Sequence, residues 1–431
     1  MASTKSELLV AFFQELAARS IPAVILHGFE TMPEHWESDV DFVVPSRALP
    51  LLADIQRSLA EAHGWLLVDI IEANLDARYA VLAERGNPAN CIQLDACSNY
   101  VEHQHRLAPV GKLLTGNSTQ QNGLLTAPPA VEAVYLIAKT LVKNGTLISR
   151  RMRLENLLKE DPSGVELAFQ DVVGSTNRRL ADWLATEHEE QSELAKRAHR
   201  RKRFGAGDWL REAWRAVRRI VQPSGLYISV FGLDGSGKSS LLKNLSPLLA
   251  QVFRRVVSFH SRPRIFDQPD GALNTTPHDQ MPRSWIVCVL KLFYYFIDHW
   301  LGYVLKILPA KICAKAVIFD RGFEDVLVDP ARYRLHGAEG LARCLAALLP
   351  KPDITFVLEA PSKVIHQRKA ELPLEEIDRQ QTKLRSLAKQ RSHWHMVSAN
   401  QPTEFLTQSV ADDIFQFLAD RCAKRHPTIK S

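Results

Sequence analysis

Short apolar bursts, each about the length of a strand, mark the first hundred positions of this chain. "AVILHG" (23–28), "VDFVVP" (40–45), "WLLVDII" (65–71), "RYAVLAE" (78–84) and "CIQLDAC" (91–97) are rich in β-branched and aromatic residues and are bounded by turn formers. A stretch from about 48 to 63 has helical spacing, as does "MASTKSELLVAFFQELAARS" at the start. From "TAPPAVEAVYLIAKTLVKNG" the pattern turns helical and stays so to about 195, with the prolines opening the first helix. "QPSG" (222–225) then punctuates the chain. Beyond it, "LYISVFG", "VVSFHS", "KAVIFD", "DITFVLEA" and "HMVSA" read as strands separated by helical patterns. Strands joined by helical crossovers imply a parallel sheet, and the continuous apolar character of "AVIF" and "ITFVL" implies burial on both sides.

The expected fold class is therefore α/β. An α+β domain with a helical extension spans 1–195, a linker helix 196–222, and a three-layer α/β/α domain with a parallel sheet 223–431. A length of 431 residues accommodates this, and a hydrophobic content of 46% is ordinary for a globular chain. One apolar run, residues 284–313, has the length of a membrane span, but Lys291, Asp298, His299 and Lys306 interrupt it. It reads as a buried or half-buried helix of the second domain, with peripheral membrane contact as the alternative.

Charge changes the picture at one place. Between Lys196 and Arg219 ten Lys or Arg residues face only Asp208 and Glu212, a local +8 in a chain of +6, so the remainder sums to −2. With Trp209 and Trp214 on it, this stretch suits either anionic lipid or a solvated interdomain helix. The mild charge elsewhere argues against a dedicated nucleic-acid binder. The six cysteines form no C-x-x-C pair, which excludes a zinc site or disulfide framework of the usual spacing and points to a reducing, cytoplasmic setting. The N-terminus lacks the pattern of a signal peptide.

The candidate chemistry starts at Gly232-Leu233-Asp234-Gly235-Ser236-Gly237-Lys238-Ser239, a full G-x-x-x-x-G-K-S match between a strand and a helix. Glycines let successive N–H groups converge on phosphate oxygens, and the helix adds its positive end. Lys238 would reach the β- and γ-phosphates of ATP, Ser239 would ligate Mg²⁺, and Ser236 and Ser240 flank them. Asp320-Arg321 ends a buried strand about ninety residues on, where a second Mg²⁺-organising carboxylate belongs, although such an Asp also serves as a helix cap.

These residues resemble the thymidylate kinase family of P-loop kinases. The resemblance rests on "GLDGSGKSS", "FDRGF", a basic lid-like segment at 364–388 and "VSANQP", and covers about 225–420. It implies that Arg321 clamps the acceptor or transferred phosphate and that Asp234 reaches the acceptor. It also implies that Arg368, Lys369 and Arg379 are candidate transition-state cations (or members of a solvated helix face) and that Ser398 to Gln401 contact adenine. "HSRPRIFD" replaces the family's Glu-Pro-Gly pattern, and "DRGFEDVLVDPARYR" lacks the small and glutamine residues that meet thymine. The segment looks like the thymidylate kinase-like proteins met in bacterial polysaccharide biosynthesis loci. His260, Arg262 and Arg264 suit an anionic or sugar-bearing acceptor, and Arg264 equally suits a structural ion pair.

In the first domain, Gly28-Phe29, nine residues and then Asp39-Val40-Asp41 echo the nucleotidyltransferase superfamily that includes DNA polymerase beta. Alternation on a strand puts Asp39 and Asp41 on one face, as sharing Mg²⁺ requires. Asp95 is placed like a third carboxylate of such a site, and Phe29 departs from the usual Ser or Gly. Three crowded carboxylates would repel one another unless a divalent cation joins them.

The expected activity is ATP- and Mg²⁺-dependent phosphotransfer to a small acceptor. The alternatives are thymidylate kinase proper, a nucleotide-dependent switch or scaffold docked through 196–219 at the inner face of a membrane, and a nucleotidyltransferase regulated by its P-loop half.

Overall fold

The computed structural model describes residues 3–427 except positions 37, 103–104, 110–118, 143–146, 175–177, 186–204, 266–283, 336 and 371. The chain divides into two compact units, Met1–Val217 with Phe415–Ser431 and Arg218–Ile414. The division differs from the expected one in two respects. It falls inside a helix, Ala206–Val221, and it returns the last residues to the first unit. Positions 196–204 of the basic stretch lie outside the described residues.

The first unit is built on a seven-stranded sheet. Its strands are β1 (Val24–Ile25), β2 (Val40–Val43), β3 (Trp65–Asn74), β4 (Ala77–Glu84), β5 (Asn87–Cys97), β8 (Thr119–Gln121) and β9 (Leu124–Thr126), in the order β3-β4-β5-β2-β1-β9-β8. A separate ribbon joins β6 (Asn99–Glu102) to β7 (His105–Pro109). β3, β4 and β5 form an antiparallel meander, whereas β2 runs parallel to β5 with Asp41 opposite Asp95. The helix Lys5–Ala18 starts at a capping box in which Thr4 and Glu7 satisfy each other's backbone N–H groups. Its Leu8, Leu9, Phe12, Phe13 and Leu16 are buried, and the Phe12, Phe13 and Phe42 rings meet edge to face. Helices Pro129–Val142, Arg151–Glu160, Pro162–Val173 and Leu180–Ala185 contribute to a second apolar cluster.

The second unit is the parallel sheet the strand-helix alternation implies. β10 (Leu226–Phe231), β11 (Val256–His260), β12 (Ala316–Asp320), β13 (Ile354–Glu359) and β14 (Trp394–Ser398) lie in the order β11-β12-β10-β13-β14, every neighbouring pair parallel. All six residues of β10 are buried, as are the first four of β12 and the first five of β13. Burial of successive residues means both faces are covered, which is why these segments show no polar alternation.

The apolar run 284–313 forms the helix Trp285–Gly302, a π turn at Tyr303–Ile307 and the short helix Leu308–Ile312. It is half-buried. Asp298 and His299 face inward, while Ile286, Leu290, Phe293, Ile297 and Trp300 are exposed. Among the described residues, no helix is long and apolar enough to cross a membrane.

Candidate functional site

The C-terminal ends of β10 and β12 bring the two predicted motifs together, with Val230 opposite Asp320 in the ladder. Between β10 and the helix Lys238–Ala250 the chain makes the phosphate loop. Gly237 caps that helix at φ +92° with nothing within 4 Å of where a Cβ would stand, so the backbone there is left-handed and open. Gly235, at φ +87°, is crowded instead: a Cβ would lie 2.9 Å from the Ile365 carbonyl, 3.3 Å from Lys369 Cβ and 3.6 Å from Arg368 Cβ. The stems of two predicted lid cations therefore stand beside the loop. The third, Arg379, pairs with Glu376 at 2.7 Å on an exposed helix face.

Lys238 is buried and folded back, its Nζ donating to the carbonyls of Gly232 at 2.6 Å and Leu233 at 2.9 Å. Burial, reinforced by the Arg321 charge, brings its ammonium down to about 8. The Ser236 hydroxyl is buried without a hydrogen bond, and so is Oδ1 of Asp320. An orphaned hydroxyl, able to donate, suits a bound phosphate, and an orphaned carboxylate oxygen suits a cation. The other Asp320 oxygen lies 3.0 Å from His260 Nδ1. Burial opposes ionisation of Asp320, but the His260 hydrogen bond and the Lys238 charge outweigh it and hold the carboxyl below its usual value. Ser239 and Ser240, which open the helix, are exposed.

Arg321 is buried at φ +69°, a backbone conformation that costs a non-glycine residue about 1 kcal/mol. Its N–H is held by the Val230 carbonyl at 2.9 Å. The guanidinium pairs with Asp234 and, at 3.5 Å, with Asp325. Arg332 binds the other Asp234 oxygen at 3.1 Å, and the Tyr333 hydroxyl donates to Asp325 at 2.9 Å. Asp234 thus lies between two arginines, beside a cleft of about 30 Å³ that also reaches Val328, Asp329 and Gln380. Arg332, Asp325 and Tyr333 escaped the sequence reading. Their signal was present in "DVLVDPARYR", a charged run that lacks the small and glutamine residues the resemblance calls for.

Arg262 lies over the rings of Tyr294 and Tyr295, 5.5 and 4.9 Å from their centroids, and His260 and Arg264 are exposed. Ser398 and Asn400 line a separate open cleft of about 630 Å³ with Pro361, Arg385 and Met396.

In the first unit, Asp39, Asp41 and Asp95 each offer a carboxylate oxygen within 4.8 Å of the others. Parallel pairing of β2 with β5 sets Asp41 beside Asp95. The crowding is not left to mutual repulsion, however. Asp41 is buried and accepts from Tyr135 Oη at 2.6 Å and Lys139 Nζ at 2.8 Å, with His27 Nε2 at 2.7 Å. Burial raises its carboxyl, yet the His27 hydrogen bond and the Lys139 charge prevail and bring it down to about 2. The Lys139 ammonium and the His27 and Tyr135 hydrogen-bonding groups therefore share the compensating role expected of metal alone, and one lone pair of Oδ1 remains for a cation. Phe29 is a core residue with Arg153 against its ring, 5.9 Å from the centroid.

Residues 230–410 match the family model described as thymidylate kinase. Curated proteins called thymidylate kinase from Xanthomonas campestris pv. campestris, strains B100 and 8004, are each 29% identical over 148 residues, which is 33% of this chain and 59% of theirs. The chain thus spans less than two thirds of the length of these relatives. Among solved structures, a thymidylate kinase from Ehrlichia chaffeensis is 20% identical, covers 44% of this chain and 97% of its own, and has a TM-score of 0.31.

Proposed function

We propose that this chain, whose residues 230–410 are a thymidylate kinase-like P-loop domain, moves the γ-phosphoryl group of ATP to a small anionic or sugar-bearing acceptor. The observation that carries the reading is the meeting of Lys238, Asp320 and Arg321 at adjacent strand ends, with unpartnered Ser236 and Asp320 oxygens between them. Ser239 and Asp320 would hold Mg²⁺, which supplies charge neutralisation on the β- and γ-phosphates. Lys238, exchanging two backbone carbonyls for phosphate oxygens, would orient the triphosphate. An acceptor oxygen attacks the γ-phosphorus, the bond to the β–γ bridging oxygen breaks, and ADP leaves. Arg321 and Arg368 would stabilise charge on the transferred group. Arg332 belongs with Arg321, because the two already hold one carboxylate, Asp234, and an acceptor phosphate offers the same bidentate chemistry.

The resemblance to polysaccharide-locus proteins favours a sugar-bearing acceptor. Turnover of ATP with a panel of nucleoside and sugar monophosphates tests the proposal. Acceptor- and Mg²⁺-dependent ADP release is expected. ATP binding without acceptor-stimulated turnover across the panel favours a switch or scaffold instead.

A second reading concerns the first unit and rests on its convergent carboxylates. Asp39, Asp41 and Asp95 would hold one divalent cation, in a nucleotidyltransferase-like domain. Mn²⁺ or Mg²⁺ should then raise the melting temperature of the full chain carrying Asp320→Asn, and Asp39→Asn should abolish that rise. No metal shift removes these residues as a site.

A further inference from the structure

The helix Ala206–Val221 presents its apolar face outward. None of its residues is buried. Leu210, Trp214, Val217 and Val221 follow at spacings of four, three and four, so they form one stripe, with Trp209 and Ile220 beside it. All six are between 49% and 73% exposed. The polar face is engaged instead. Within the first unit, Arg215 pairs with Glu212 and donates to the Glu72 carbonyl at 3.0 Å. Within the second, Arg219 donates to the Ile312 carbonyl at 2.5 Å. Arg211 and Arg218 are exposed along one flank of the stripe.

We propose that this face docks on an anionic lipid surface, with the helix lying in the headgroup plane. Charge complementarity selects the occupant. Two exposed arginines border the stripe, and six Lys or Arg residues without an acid precede it at 196–203. Paired tryptophans suit the interface between headgroup and acyl chain. Sixteen residues reach about 24 Å, too short and too charged to span a bilayer. A nucleic acid would require the charged face outward, whereas here the outward face is apolar. An antiparallel second copy would set arginine flank against arginine flank.

Sedimentation of the full chain with vesicles tests this. Binding is expected to vesicles of phosphatidylcholine with phosphatidylglycerol, not to phosphatidylcholine alone, and to weaken in about 0.5 M salt. Leu210→Ser/Val217→Ser and Trp209→Ser/Trp214→Ser should each lower partitioning about tenfold or more, and Arg211→Glu/Arg218→Glu should do likewise. These positions are exposed, so melting temperatures should stay at the wild-type value. Ile286→Ser/Leu290→Ser, on the other exposed apolar helix, should leave binding unchanged. Failure of the folded wild type to sediment with anionic vesicles overturns the proposal. So does loss of binding through Ile286 and Leu290 alone. So do self-association in lipid-free buffer, or RNA binding, that the 206–221 substitutions abolish while vesicle binding persists.

Discussion

Lys238 binds its own loop through two carbonyl oxygens, and the same ammonium is what an incoming triphosphate needs. Lys238→Ala or Asp320→Ala should lower phosphoryl transfer at least about a hundredfold, with an unchanged circular dichroism spectrum. Wild-type turnover in either folded variant would sink the assignment. Because burial and Arg321 bring Lys238 to about 8 in the free protein, kcat/KM for ATP should fall as pH rises above about 8. Bound phosphates keep the lysine charged, so kcat should hold over that range. A flat kcat/KM profile to pH 9.5 contradicts the role. Asp41 gives the opposite sign. Its carboxyl is lowered in the folded protein, so its contribution is full above its unfolded value near 4 and is lost as pH falls toward 2. Asp41→Asn should destabilise by about 3 kcal/mol at neutral pH by leaving the Lys139 ammonium without its carboxylate, and the gap to wild type in urea melts should narrow below pH 4. The phosphate loop was legible because its residues are consecutive. Lys139 and Tyr135 were not, because their partner is 98 and 94 positions away.

Elements were legible where periodicity had room to act. The wholly buried β10 and the nearly wholly buried β12 and β13 stood out as apolar runs and the meander β3–β5 as β-rich segments. β8 and β9, three residues each, are too short for a period and were missed. The predicted strand 23–28 shrank to Val24–Ile25, because its C-terminal part turns at Gly28 (φ +70°). The segments following β11 and β12 carry the substrate question. The proposed acceptor site would hold His260 beside Asp320, Arg262 over Tyr295, Asp325 accepting from Tyr333, and Arg332 paired with Asp234. A site built from charged groups rejects a ligand that leaves them unpaired, commonly by several orders of magnitude. Thymidine monophosphate should therefore be a poor acceptor. Efficient formation of its diphosphate in a coupled assay restores the plain thymidylate kinase reading.

At the scale of the molecule, the return of Phe415–Ser431 to the first unit left no trace in local pattern, because long-range contacts decide it. Arg421 reaches Asp69, a buried carboxylate, at 3.4 Å, and Arg57 donates to the His426 carbonyl at 2.6 Å. A chain ended after Ile414 should lose several degrees of melting temperature by scanning calorimetry, since Asp69 would be left without Arg421 and Arg425 in a dry setting. An unchanged melt would show those contacts to be idle.

Cys422, 1% exposed, sits in the same apolar cluster as Leu8 and Phe12. On the ribosome, where N-terminal domains ordinarily fold first, this unit begins before the second and is completed after it. Its nascent form carries an unfilled gap while nearly two hundred residues of the kinase-like unit are made. Synthesis order and folding order are thereby uncoupled, and translation arrested anywhere between residues 218 and 414 should yield a first unit that proteases cut faster than they cut the finished chain.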